Sequence, residues 1–350
     1  MKIALITGSC GLVGSESSIF FSKKGFKIIG VDNNARKFFF GKDGDVTWIK
    51  NNLKQNLKNY KHSDIDIRNF KKLKKIFIKY KKNIKIIIHA AAQPSHDWSY
   101  DNPSIDFDIN AKGTLNLLEL TKIYCPQTPF VFMSTNKVYG DNPNYLPLKE
   151  KKTRWEIKKG HKFSSGIDET MSIDNCTHSF FGTSKTYADL MVQEFGKNAG
   201  LKTVCFRAGC ITGPNHSGAK LHGFLSYLVK SAIQNKKYTL IGYKGKQVRD
   251  NIHSEDLVRC FWEYYKKPKI GQIYNAGGGR YSNCSIIEAL NLVEKYSRIK
   301  IKKKFFKYNR TGDHIWYISS MKKFKKDYPK WKQKYSTQKI IKQLIKQFSF

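Results

Sequence analysis

One stretch of the chain has the residue types and spacing to handle a phosphorylated ligand. Thr7-Gly8-Ser9-Cys10-Gly11-Leu12-Val13-Gly14 stands between a β-branched apolar run and a helix-like one. Glycine is needed where a backbone turns sharply and where a side chain would hold a pyrophosphate away. A helix opening there offers its first N–H groups and the positive end of its dipole to the phosphates. A second apolar run, Lys27–Val31, ends at Asp32, about where a dinucleotide-binding unit carries the acid that takes the adenosine ribose. An acid at that point hydrogen-bonds the 2′-hydroxyl and repels a 2′-phosphate. The cofactor expected is therefore NAD, held by Gly8, Cys10, Gly11, Leu12, Val13, Gly14 and Asp32, with Asn33 beside them. Arg36, close by, weakens the preference over NADP.

These residues need a parallel sheet behind them. Ile3–Ile6, Lys27–Val31, Ile84–His89, Phe130–Met133 and Thr203–Arg207 read as buried strands, brief and β-branched or aromatic. Leu12–Lys24, Thr114–Tyr124 and Thr183–Asn198 read as the helices between them. Strand and helix alternating in this way predict an α/β fold, a Rossmann doubly wound parallel sheet with helices on both faces. After Arg207 the texture changes to Gly, His and Asn, with a helix near Leu225–Ile233. A terminal amphipathic helix follows a Ser336/Thr337 cap signal, with Ile340, Ile341, Leu344, Ile345 and Phe348 on one face. The expected domains are residues 1–207, with 244–268, for the dinucleotide, and 208–243 with 269–350 as a smaller mixed C-terminal substrate lobe.

Composition narrows the function classes. The formal charge is +37, from 64 Lys and Arg against 27 Asp and Glu, which raises nucleic acid as a partner. The lysines are dispersed, however. Over residues 71–85, Leu73, Ile76, Phe77, Tyr80 and Ile84 fall at helical spacing and Lys71, Lys72, Lys74, Lys75, Lys79, Lys81 and Lys82 take the other face. That is a solvated lysine face, so no nucleic-acid partner is expected. The seven cysteines show no paired spacing for zinc, redox work or a disulfide framework. His89, His178, His253 and His314 are too scattered for a metal site. The first strand opens the sequence at once, so no signal peptide is expected, and no apolar run approaches the roughly 18 residues of a membrane span. A reduced, cytoplasmic protein without membrane contact is expected.

The G-x-x-G-x-x-G spacing of the first loop resembles the extended short-chain dehydrogenase/reductase family, and further stations agree. Asp66-Ile67 looks like the family's adenine-contacting pair. His89-Ala90-Ala91-Ala92-Gln93 resembles the loop beneath the dinucleotide, which places Ala91, Ala92 and Gln93 at the cofactor. Asn110, in Ile109-Asn110-Ala111-Lys112-Gly113-Thr114, matches the family's helix asparagine. Ser134-Thr135-Asn136-Lys137-Val138-Tyr139-Gly140 carries the active-site hydroxyl at Thr135. Gly245-Lys246-Gln247-Val248-Arg249-Asp250 and Arg310-Thr311-Gly312-Asp313 are similar to segments whose arginines hold a nucleotide diphosphate, and Tyr274-Asn275-Ala276-Gly277-Gly278 is another landmark. Within the family, the strings around Thr135 and Arg249 look most like those of the CDP-paratose 2-epimerases, also called CDP-tyvelose epimerases. The 4,6-dehydratases place an Asp-Glu pair after the hydroxyl residue, and the decarboxylating enzymes a Glu. Asn136-Lys137 offers no carboxylate for such an elimination. The resemblance therefore implies an NAD-dependent isomerase acting on a nucleotide-diphosphate sugar, by transient oxidation to a keto-sugar and return of the hydride to the other face. It also implies a homodimer.

The family's working pair is Tyr-x-x-x-Lys, in which lysine holds the nicotinamide ribose and lowers the tyrosine pKa. Here Lys185 is present and the tyrosine position is Phe181, in His178-Ser179-Phe180-Phe181-Gly182-Thr183-Ser184-Lys185. Three readings stay open: another base serves; the protein binds NAD without catalysis or is strongly slowed; or Phe181 was introduced to trap a complex. A nucleotide-sugar reductase or dehydrogenase is a further alternative. An aliphatic alcohol such as Thr135 is too weak an acid to serve alone. Asp168 and Glu169 read as substrate contacts, while His96 with Asp97 could form a base with its orienting partner or only order the loop after Gln93. Tyr187 is expected to face away from Lys185. On the substrate side, Asn215, His216 and Ser217 are expected at the sugar, with His222 and Trp98 as weaker candidates. Arg249, Arg310 and Asp313 are expected at the diphosphate.

Overall fold

The structure, a computed structural model, describes residues 1–216, 223–306 and 312–349. Its contacts divide the chain into two compact units. One holds residues 1–138, 180–207 and 258–274, the other 139–179, 208–257 and 275–350.

The first unit is built on a seven-stranded sheet in the order Gln272–Ala276, Thr203–Ala208, Phe130–Thr135, Ile84–His89, Ile3–Thr7, Lys27–Val31, Tyr60–Ser63. The pairs from Phe130–Thr135 across to Tyr60–Ser63 are all parallel. The fold is thus α/β and Rossmann-like. The five anticipated strands form, and so do the helices Leu12–Lys23, Gly113–Tyr124 and Ser179–Lys197. Apolar strands such as Ile3–Thr7 and Ile84–His89 are buried because helices cover both faces, and a parallel sheet leaves neither face to water.

One boundary differs from the periodicity. Leu73, Ile76, Phe77 and Tyr80 are the buried face of helix Phe70–Tyr80, but Ile84 is not part of it. The chain turns at Lys81, passes a short 3₁₀ segment Lys81–Asn83, and Ile84 opens a strand paired with Ile3. A strand residue four positions past a helix end mimics helical spacing.

Register aims this sheet at a ligand. Thr7 pairs with both Val31 and His89, and Val31 with Ser63, so these strands end at one level. Strand order reverses at Ile3–Thr7, and the loops starting at Gly8, Asp32 and Ala90 emerge side by side at that switch point.

The second unit is mixed α/β. Val248–His253 pairs antiparallel with Asn283–Ser285 and parallel with Trp316–Tyr317 and Cys210–Thr212. Tyr238–Ile241 runs parallel to Lys303–Phe306. Helices Phe224–Ile233, Ile286–Ser297 and Thr337–Phe348 share a core through Leu225, Leu228, Ala289, Val293, Ile340 and Leu344. The Ser336 hydroxyl caps the terminal helix, and Ser285 with Glu288 forms a capping box. Among the described residues no helix is long and apolar enough to cross a membrane.

Candidate functional site

Gly8 leaves the first strand with φ +67°, where a side chain is strained, and a Cβ there would stand 2.7 Å from the Ala91 nitrogen. A Cβ on Gly14 would meet the Gly8 carbonyl oxygen at 2.0 Å. These two positions press the turn against the neighbouring loop and the helix against the turn. Gly11 is the N-cap of helix Leu12–Lys23, and no side chain caps it. The N–H groups of Leu12, Val13 and Gly14 therefore open the helix behind a bare backbone turn, which suits a pyrophosphate.

Asp32 is tied to this turn. Its carboxylate accepts the Cys10 N–H at 2.9 Å and the Asn34 N–H at 2.8 Å. Burial pushes its pKa up while those two donors pull it back. Burial also lifts the Cys10 thiol to about 12, which favours its protonated form. Asn33 donates to Asp66 at 3.1 Å, and Arg68 pairs with the same carboxylate at 2.7 Å. Burial raises Asp66, but hydrogen bonds from Arg68 outweigh it and leave the pKa below the ordinary value. Ile67 is buried in the core. Arg36 lies over the Phe40 ring at 4.7 Å, and burial lowers its pKa to about 10. The glycine turn and the acid fit a dinucleotide.

Beneath the turn, the His89 ring is fixed between Thr7 and Thr114, at 2.7 and 2.9 Å. Thr114 gives its hydrogen to the Asn110 carbonyl, so Nε2 of His89 donates to Thr114 and Nδ1 accepts from Thr7. Burial holds this histidine neutral. Ala91 and Ala92 pass half-buried to Gln93. The Gln93 N–H donates to the Asn110 side chain at 2.9 Å, and Asn110 Nδ2 returns a bond to the Gln93 carbonyl at 3.1 Å.

A residue that sequence reasoning missed completes this network. The Asp106 carboxylate accepts from Gln93 Nε2 at 2.8 Å, from Asn110 Nδ2 at 3.1 Å and from the Ser184 hydroxyl. Burial raises its pKa to about 6. Asp106 stands four positions before Asn110, a helical spacing that the sequence displayed. Between them the chain enters a π-helical turn, Asp108–Lys112, a distortion frequent at functional sites.

On helix Ser179–Lys197, Phe181 and Lys185 share a face one turn apart. Lys185 is buried, donates to the Met133 carbonyl at 2.7 Å and lies 4.1 Å from the centre of the Phe132 ring. Burial lowers its pKa to about 8. Thr135 ends the adjoining strand, where its hydroxyl oxygen accepts the Lys137 N–H at 3.2 Å. Phe181 meets the His96 imidazole edge to face, with ring centroids 4.7 Å apart. Ser99 bridges their backbones, donating to the His96 carbonyl at 2.7 Å and accepting the Phe181 N–H at 3.2 Å. Trp98 packs on Phe39 instead, at 4.9 Å, and Tyr187 packs on Phe107 at 5.5 Å.

In the second unit, Arg249 and Asp313 form an ion pair. His216 is buried, and a Cβ on Gly223 would fall 2.2 Å from its ring; Asn215 beside it is half-buried. Ser217, His222 and Arg310 lie outside the described residues. Glu169 accepts the Asn275 N–H at 2.6 Å, while Asp168 is engaged in a turn with the Thr170 N–H and hydroxyl. Asp250 accepts from the Ser319 N–H at 2.9 Å and from the Ser319 hydroxyl, and a Cβ on Gly277 would collide with it. The aspartate and glycine of two separate sequence landmarks therefore form one structural clasp. Among the described residues no group of three or more His, Cys, Asp or Glu is placed to hold a metal ion.

A family model described as "NAD dependent epimerase/dehydratase family" matches residues 4–277. A CDP-paratose 2-epimerase of Salmonella typhi is 33% identical over 309 residues, 86% of each chain. A UDP-glucuronate 4-epimerase of Thermodesulfobacterium geofontis is 28% identical, over 92% of this chain and 90% of that protein. The fold is shared with the UDP-glucose 4-epimerase of Thermus thermophilus, solved in complex with NAD. That structure gives a TM-score of 0.78 at 22% identity and covers 99% of this chain and 98% of the other. The chain belongs to the NAD dependent epimerase/dehydratase family, and NAD is its cofactor.

Proposed function

We propose that this protein epimerises a nucleotide-diphosphate sugar through a transient keto-sugar. The observation that carries the reading is the junction of the glycine turn with Asp32 through the Cys10 N–H, which suits a dinucleotide at the end of a parallel sheet whose neighbouring strand ends at Thr135, with Lys185 bonded to its Met133 carbonyl. NAD supplies the reversible oxidation of one sugar carbon. The first-turn N–H groups and Asp32 hold its pyrophosphate and ribose, the Gln93–Asn110–Asp106 network keeps the loop beneath it rigid, and Lys185 orients the nicotinamide ribose. Thr135 hydrogen-bonds the reacting hydroxyl, and Arg249, Arg310 and Asp313 belong to the diphosphate. Asn136-Lys137 supports epimerisation over dehydration, because neither side chain supplies the carboxyl group that the dehydratases place after the hydroxyl residue. The Salmonella typhi relative suggests a cytidine nucleotide and inversion at C2.

Phe181 favours a second reading, an NAD-binding protein with little or no turnover. Purified protein should release NAD on acid treatment and invert one stereocentre of a CDP-, UDP- or dTDP-hexose, followed by proton NMR. In D₂O the inverted carbon should keep its own hydrogen. Bound NAD with no inversion would leave the non-catalytic reading, and stoichiometric release of a keto-sugar would make the protein a dehydrogenase.

A homodimer in the cytoplasm belongs to the same proposal. Ile105, Phe107, Ile123, Tyr187 and Leu190 are exposed apolar residues on the segments 103–124 and 179–197, more than isolated surface hydrophobes would explain. Leu190→Asp should shift the dimer to monomer in light scattering.

A further inference from the structure

We infer that His96 is the proton acceptor for the sugar hydroxyl, in place of the phenol that position 181 lacks. The inference rests on the oxidation chemistry proposed above. Its geometric basis is local: the imidazole lies against the ring at the tyrosine position, 4.7 Å between centroids. Ser99 holds both partners by their backbones, and the Ser95 hydroxyl caps the Trp98 N–H at the start of the His96–Asp101 turn. Gln93, three residues earlier, fixes the other end of this segment through Asp106 and Asn110. A histidine on a mobile loop would carry no such argument; this one is tethered at both ends to the loop that passes beneath the dinucleotide.

The chemistry favours imidazole. Imidazole is the side chain whose unperturbed pKa lies closest to neutrality, so it can both take up and return a proton there. A tyrosine needs a neighbouring cation to bring its pKa down from about 10, and Phe181 removes that requirement along with the phenol. In the oxidative half, the sugar O–H bond breaks and its proton goes to the imidazole nitrogen. The carbinol C–H bond breaks at the same time, its hydrogen and electron pair reducing NAD, and the carbon–oxygen bond becomes double. In the reverse half, after the ketone has turned over, the same imidazolium returns the proton to oxygen. Charged groups on the elements packed around the His96 segment are Asp97 and Asp101 within it, Arg36 and Lys37 on helix Ala35–Phe40, Asp106 on Pro103–Phe107, and Lys185 with the more distant Asp189, Glu194 and Lys197 on the Phe181 helix.

The test uses full-length protein in two measurements. In NMR of ring-labelled histidine, with His96→Gln for assignment, the His96 pKa should be lower by about half a unit or more with NAD⁺ bound than with NADH, because the positive nicotinamide opposes the imidazolium. An identical titration in the two forms would show that the ring does not face the nicotinamide and would overturn the inference. In the sugar-nucleotide assay, His96→Gln should lower kcat by about 10²–10⁴-fold, with NAD affinity and melting temperature near wild type. Adding Phe181→Tyr to that variant should restore at least about tenfold of the loss. Wild-type turnover by His96→Gln would also overturn it. If the wild-type protein inverts none of the CDP-, UDP- or dTDP-hexoses, the functional reading fails, while the titration still decides where His96 points.

Discussion

Arg249 donates through Nη2 to the carboxylate of Asp313 and through Nη1 to the Val248 carbonyl at 2.8 Å. Both residues stand in sequence segments that resemble diphosphate-binding motifs. The aspartate fixes the guanidinium plane, and a diphosphate would approach the rest of the fork. Arg249→Ala is expected to weaken binding of CDP and UDP by at least about tenfold, because a charge-assisted pair of hydrogen bonds is worth roughly 1.5–3 kcal/mol. Arg249→Lys should lose nearly as much, since one ammonium cannot serve the aspartate, the carbonyl and a phosphate at once. Titration calorimetry measures both; unchanged affinity in the alanine variant removes Arg249 from the site.

Phe181→Tyr alone tests how complete the substitution of function is. The side chain is buried, so the added hydroxyl needs a partner, and the adjacent imidazole is one. With His96 already accepting the proton, kcat should change by less than about tenfold in either direction. A rise of about 10² or more would instead mark the wild-type protein as a slowed enzyme lacking its base. Initial rates with the turned-over sugar nucleotide distinguish the two.

Asp32 has a double role, which gives its variants a distinctive signature. Asp32→Ala removes the ribose acceptor and strands the Cys10 and Asn34 N–H groups. NAD affinity should fall by about 10–100-fold, and stability by about 1–3 kcal/mol, because donors left without acceptors keep their desolvation penalty. The ratio of NAD to NADP affinity should fall toward unity. Fluorescence titration with both cofactors, beside urea denaturation, checks the two effects separately. A variant that still excludes NADP would shift the discrimination away from Asp32.

The sheet was legible because its strands are short β-branched runs and its turn needs glycines whatever the ligand. Asp32 was legible because it follows the second strand directly. Ile84, read at the start of a strand, was also counted on the preceding helix face, because four-residue spacing cannot tell a last helical turn from a strand four residues on. Asp106 was overlooked although it sits one helical turn before Asn110. A lone aspartate in Asn102-Pro103-Ser104-Ile105-Asp106 looks like a surface residue until Gln93 and Ser184, far away in sequence, bring their donors to it. The His96–Phe181 contact lay beyond any sequence pattern, since it joins residues on separate segments through Ser99. Sequence supplied both residues as candidates, and only the fold set their rings against each other.

Lys185 provides the prediction with a definite pH direction. Its folded pKa is about 8, depressed chiefly by burial, against about 10.5 for an ordinary lysine. Below pH 8 the folded state must hold a buried ammonium, at a cost of roughly 3 kcal/mol for a shift of this size. Between pH 8 and 10.5 the unfolded chain binds more protons than the folded one, so this cost is relieved as pH rises. Lys185→Met has no such group. Its stability relative to wild type should therefore be most favourable at pH 7 and decline by about 2–3 kcal/mol by pH 10. At pH 7 the gain is offset by the Met133 carbonyl, which loses its donor at a cost of about 1–3 kcal/mol. NAD affinity should nevertheless fall by about tenfold if the ammonium holds the nicotinamide ribose. Denaturation of cofactor-stripped protein at the two pH values measures the first effect, and a difference that stays constant with pH would show that Lys185 is not held in the depressed state.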